Sequence, residues 1–161
     1  MAESTTSDWY AHSLADPEDA YAEWKAHGVA VLPLGEFFEA VRIPEELANA
    51  AADSDATAVV NYALAELEGP VIHDSRNRNY YALVEPGTRD HWSPRHEVEC
   101  LGHGTQLGVP ELDRHRPDPS HPIYWAAAPG PGAFFCRVAA LKLLIRIGTT
   151  RLADREGQVV R

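Results

Sequence analysis

Asp53 and Asp55 are the pair in this 161-residue chain with the type and spacing of a divalent-metal clamp. Carboxylates at i and i+2 of an extended segment point to one side, and Mg2+ takes oxygen ligands. Here the pair, with Ser54 between, falls at a break between two predicted helices, where Asp and Ser also serve as caps. His73 beside Asp74, then His91, His96 and His103, would supply imidazoles, but their spacing matches no zinc pattern and no metal site is expected from it. Cys100 and Cys136 have no CxxC spacing and no adjacent histidine, so both read as buried thiols. No G-x-S-x-G elbow is present, and the Gly102-His103-Gly104-Thr105 run is neither a Walker loop nor a dinucleotide fingerprint. Its glycines suit a tight hairpin. Trp92, Tyr124 and Trp125 have faces on which a base would stack, although aromatics beside strands more often fill a core.

The basic residues form clusters on an acidic chain. The formal net charge is −10, which opposes unspecific attraction to nucleic acid or anionic lipid. Residues 1–68 hold fourteen acids against Lys25 and Arg42, giving −12; residues 69–161 hold ten acids and twelve bases, giving +2. Arg76, Arg78, Arg89 and Arg95, interleaved with His73, His91 and His96, form one basic stretch, and Arg114, His115 and Arg116 another. Should these loops meet, they would make a local phosphate site; as separate loops they are solvated charges. The acidic N-terminal half suits a basic protein partner.

The elements that must position these residues follow from periodicity and caps. Residues 1–15 lack sustained periodicity and read as a flexible arm that Trp9 and Tyr10 pin to a surface. Asp16 as N-cap, Pro17 at the first helical position and Gly28 as a left-handed stop predict a helix ending at His27. Strands are predicted at 29–34 and 37–43, a short helix from Pro44, and a helix at 56–67 with Val59, Tyr62, Ala63 and Leu67 on one face. Strands at 71–74 and 79–84 flank a polar hairpin insert. A second strand pair, 97–101 and 105–109, is expected around Gly102 and Gly104. Residues 110–122, with four prolines, read as a loop. A strand at 123–127 and a helix at 135–147, stopped by Gly148, complete the series. This is one α+β domain over 16–148, with a mixed or mostly antiparallel sheet and a polar tail at 149–161.

No apolar run is long and clean enough to span a bilayer, and the polar, acidic N-terminus lacks the pattern of a secretory signal. A cytoplasmic location is expected. Two lysines against twelve arginines is the bias of a high-GC bacterial genome.

Four segments together carry a resemblance: AEWKAHGVAVLPL at 22–34; LVEPGT at 83–88 followed by Trp92; ECLGHGTQLGVP at 99–110; and HPIYW at 121–125. They are similar to the bifunctional DNA primase/polymerase (prim-pol) N-terminal domain family, in the form of short actinobacterial members. The resemblance implies an α+β domain that joins nucleotides on a template with divalent metal held by acidic residues. The chain departs from that pattern where the family carries an acidic D-x-D: the segment after Leu34 reads Gly35-Glu36-Phe37-Phe38-Glu39. The expectation is therefore a catalytically degenerate domain that binds a nucleotide, nucleic acid or protein without a cofactor. Arg76, Arg78, Arg89, His91 and Arg95 are the candidate binding residues, and His121 and Tyr124 join them through the resemblance. The alternative is an active nucleotidyltransferase using Asp53 and Asp55 with Mg2+.

Overall fold

The computed structural model describes residues 2–93 and 98–160. The elements are α1 (Ala2–Ala11), α2 (Pro17–His27), β1 (Val29–Pro33), β2 (Glu39–Pro44), α3 (Glu45–Ala52), α4 (Thr57–Leu64), β3 (Val71–Asp74), β4 (Asn79–Val84), β5 (Glu99–Leu101), β6 (Gln106–Pro110), β7 (Ile123–Ala127) and α5 (Val138–Val160). Short 3-10 turns cover Ala65–Leu67 and Thr88–His91. Among the described residues every strand pairing is antiparallel, in a five-stranded sheet ordered β5-β2-β4-β3-β7 and a ribbon of β1 with β6. The fold class is α+β.

Alternation along the strands sends successive side chains to opposite faces. Val41, Ile43, Val71, Tyr80 and Cys100 pack with Leu47, Val60, Leu64, Leu141 and Ile145 beneath α3, α4 and α5. Ala40, Ile72, Leu83 and Trp125 face the other way, against Leu32 and Leu107 of the ribbon and Tyr10, Ala20 and Trp24 of α1 and α2. The large sheet thus has a core on each side.

Caps settle both boundaries of α2. Asp16 accepts a hydrogen bond from the Glu18 N–H at 3.1 Å, Pro17 opens α2, and Gly28 adopts φ +72° while its N–H closes on the Trp24 carbonyl.

Four expectations are corrected. Residues 2–11 form α1 instead of a flexible arm: Tyr10 is buried, and the Trp9 ring lies 4.7 Å from that of Phe134 and 5.0 Å from that of Tyr10. Aromatic anchoring outweighs the weak periodicity of a Ser- and Thr-rich helix. In α4 the buried residues are Val60 and Leu64, continued by Leu67, whereas Val59 and Tyr62 are exposed; the chain has apolar residues on two stripes, and the i, i+4, i+7 stripe meets the sheet.

The other two concern glycines. Strands β5 and β6 are not a hairpin. β5 pairs with β2 and β6 with β1, because Cys100 belongs to the helix-side core and Leu107 and Val109 to the ribbon side. Their glycine-rich link passes the chain between sheets. Gly148 does not end the last helix, which runs on through the expected tail. A Cβ at Gly148 would lie 2.6 Å from the Leu47 carbonyl oxygen, so the glycine serves the close approach of α5 to α3. The helix also starts later than expected, because the Cys136 and Arg137 N–H groups donate to Leu83 and Leu67 carbonyls.

Candidate functional site

The predicted basic residues fall at two ends of the large sheet. Arg76 and Arg78 are exposed on the β3–β4 turn, and exposed His121 adjoins them because the Ser75 N–H and hydroxyl both donate to the Pro122 carbonyl. Arg89 and His91 lie at the opposite end, on the 3-10 turn after β4. Strand β2 measures the separation. Its first residue, Glu39, accepts a 2.7 Å bond from the Arg89 N–H, and Glu45, just past its end, donates its N–H to the Arg78 carbonyl. Six residue steps of about 3.4 Å place the groups roughly 20 Å apart. Arg95 lies outside the described residues.

Tyr124 is fully buried and offers no face to a base. Its hydroxyl lies 2.6 Å from His73 Nδ1, and His73 Nε2 lies 3.0 Å from Glu45 Oε2. Asn61 of α4 donates to the same hydroxyl at 3.3 Å, and the Tyr80 ring stacks on the His73 ring at 4.0 Å. Burial raises the pKa of both tyrosines, so they remain protonated phenols. This chain of polar groups ties α3 and α4 to the sheet; the sequence hid it because its members are far apart along the chain.

Asp53 and Asp55 do not make a metal clamp with a third ligand. Asp53 takes a left-handed φ of +55° as the C-cap of α3, its side chain is 74% exposed, and Oδ1 lies 3.4 Å from Arg155 Nη2. Asp55 is exposed beyond it. Among the described residues no three His, Cys, Asp or Glu side chains converge in a metal-holding group. The expected side-chain caps are not formed: Asp53 closes α3 through its backbone N–H, the N-cap of α4 is Ala56 without a side-chain bond, and Ser54 Oγ accepts from the Ala56 N–H just ahead of that helix.

The side chains best arranged for an anionic ligand surround Trp92. The Trp92 Nε1–H donates to the Val98 carbonyl at 2.8 Å, which fixes the indole, and Lys142 Nζ stands 5.9 Å from the ring centroid. Between this indole and α5 lies a cleft of about 300 Å3. Lys142, Arg146, Thr149 and Thr150 line its helical wall, with His91 on the facing turn. Their i, i+4, i+7, i+8 spacing places them on one side of α5, beside the stripe that buries Leu141 and Ile145. No acidic side chain lines the cleft among the described residues. The sequence singled out His91 and Trp92 but gave no sign that Lys142 and Arg146 would join them.

A second cavity of about 360 Å3 opens on the other side of Trp92, toward Arg89 and Cys100. Burial and the neighbouring Glu39 carboxylate push the Cys100 thiol up to about 12. It is no nucleophile at neutral pH. The carboxylate of Glu39 is itself buried and fixes the turn that carries Arg89 and His91.

Compared with known proteins, the chain matches no family model, no curated protein and no solved structure.

Proposed function

We propose that this chain is a nucleotide- or nucleic-acid-binding domain on a prim-pol-like scaffold that does not itself polymerise, and that it binds through the Trp92 cleft. The supporting observation is the lining of that cleft: one indole, Lys142, Arg146, His91 and threonine hydroxyls, without a carboxylate among the described residues, on a chain of net charge −10. An aromatic face accepts any base, and fixed cations accept phosphate. Arg76 and Arg78 stand too far along the sheet to share one nucleotide with it, and serve at most a neighbouring stretch of strand. The Mg2+-dependent alternative would have to use Asp53 and Asp55 at an exposed helix junction.

Anisotropy of labelled single-stranded DNA and of a fluorescent ATP analogue, each at two salt concentrations, tests the reading. Binding that weakens with salt and falls about tenfold or more in Trp92→Ala and in the Lys142→Ala/Arg146→Ala pair is expected. Absence of binding to either probe at low salt rejects it.

A further inference from the structure

A third cavity lies on the opposite face of the large sheet, beneath the β1–β6 ribbon, and its charges are unlike those around Trp92. It measures about 260 Å3, on the order of nine water volumes at about 30 Å3 each. Arg42 of β2, Tyr81 of β4 and Asp74 of β3 form its floor, and Thr105 and Gln106 border it from the ribbon. Strand register orders the floor. Arg42 is opposite Tyr81, Tyr81 is opposite Ile72, and Asp74 stands two residues further along β3 on the same face. A cation and an anion therefore flank a phenol across one groove.

Each charge is open to a ligand of opposite sign. Asp74 is buried, yet among the described residues no cationic side chain pairs with it. Its two oxygens accept one bond each from Asn77, at 3.1 and 2.8 Å, which leaves lone pairs for an ammonium group. A carboxylate withdrawn from water with only neutral donors gains most from a cation. Arg42 is held by a single 3.3 Å contact to Glu99, whose side chain is 60% exposed. Such exposed pairs are weak and screened, so a ligand carboxylate displaces Glu99 readily. Burial holds the Tyr81 hydroxyl above the ordinary phenol range, and it stays a donor between the two charges.

From this arrangement we infer that the groove between the two sheets binds a small zwitterion of amino-acid size, with its anionic group on Arg42 and its ammonium group on Asp74. The site shares no residue with the Trp92 cleft and does not rest on nucleotide binding there.

Titration calorimetry of the full chain tests this with the proteinogenic amino acids, β-alanine and γ-aminobutyrate, against butyrate and butylamine as single-charge controls. At least one zwitterion is expected to bind with Kd below about 1 mM, and the controls at least about tenfold more weakly. Asp74→Asn, Arg42→Met and Tyr81→Phe should each weaken that zwitterion, the first two by about tenfold or more. Amide resonances of Thr105, Gln106 and Gly108 should shift on binding. Should Asp74→Asn disturb its turn and unfold, the other two substitutions, both outside the turn, decide the matter. Failure of every zwitterion to bind, equal binding of the single-charge controls, or affinity unchanged in Arg42→Met overturns the inference.

Discussion

His73 and Glu45 meet at 3.0 Å across the join between the sheet and α3, with the imidazole almost wholly enclosed. The other ring nitrogen faces the Tyr124 hydroxyl, so both polar atoms of the ring have partners. Replacing His73 by Leu leaves Tyr124 and Glu45 without it. Because a buried group stripped of its partner costs about 1–3 kcal/mol, His73→Leu should destabilise the fold by about 2 kcal/mol. That corresponds to roughly 4–8 °C in Tm for a chain of this size, measured by circular dichroism. Tyr124→Phe, which removes only the hydroxyl, should cost less.

Two glycines of α5 should respond oppositely to alanine. At Gly148 an added methyl meets the Leu47 carbonyl oxygen at 2.6 Å and Leu47 Cδ2 at 3.0 Å, so the helices must part and urea unfolding should show a loss of about 1–3 kcal/mol. At Gly157 nothing among the described residues lies within 4 Å, and Gly157→Ala should gain up to about 1 kcal/mol from helix propensity.

The two thiols set an alkaline limit. Cys100 and Cys136 are both pushed up to about 12, chiefly by burial, whereas an unfolded chain releases these protons near an ordinary thiol pKa of about 8.5. The folded state therefore binds more protons above that pH, and the associated stability is intact below about 8.5 and lost as pH rises toward 12. Each thiol contributes a slope of about 1.4 kcal/mol per pH unit in that window. Urea midpoints from pH 8 to 11 should fall, and Cys136→Ala should flatten the decline. In the native protein neither thiol should react with a disulfide reagent at pH 8.

Primer extension with Mg2+ or Mn2+ should yield no product, and Asp53→Asn should change nothing, because Asp53 faces solvent and Arg155. Product that disappears in Asp53→Asn would establish the polymerase alternative.

The two basic groups should separate in DNA binding. Lys142→Ala/Arg146→Ala should reduce both affinity and the steepness of its salt dependence. Arg76→Ala/Arg78→Ala, about six strand steps away, should leave nucleotide affinity within about twofold, since distant sites act independently.

What the sequence disclosed was local. Asp16, Pro17 and Gly28 bound α2 through hydrogen bonds that span four residues or fewer, and β3 and β4 follow directly from alternation around a polar turn. The assignments that failed depend on contacts remote along the chain. Whether Gly148 ends a helix or admits a neighbour is decided by Leu47, and whether residues 105–109 pair with 97–101 is decided by β1. The candidate sites follow the same division. His91 and Trp92 stood out as a basic and aromatic neighbourhood, but Lys142 and Arg146 join them only when α5 crosses the turn. Arg42 and Asp74 share a groove only through the register of β2, β4 and β3.

The ribbon also constrains how the chain is made. Val29 is opposite Pro110, and Pro33 is opposite Gln106, so β1 leaves the ribosome long before its partner has been translated. Until then Leu32 and the indole of Trp24, whose N–H donates to the Val109 carbonyl, lack their native cover. A nascent chain arrested short of residue 110 would expose that greasy surface to chaperones, and acquisition of protease resistance during synthesis should come in one late step.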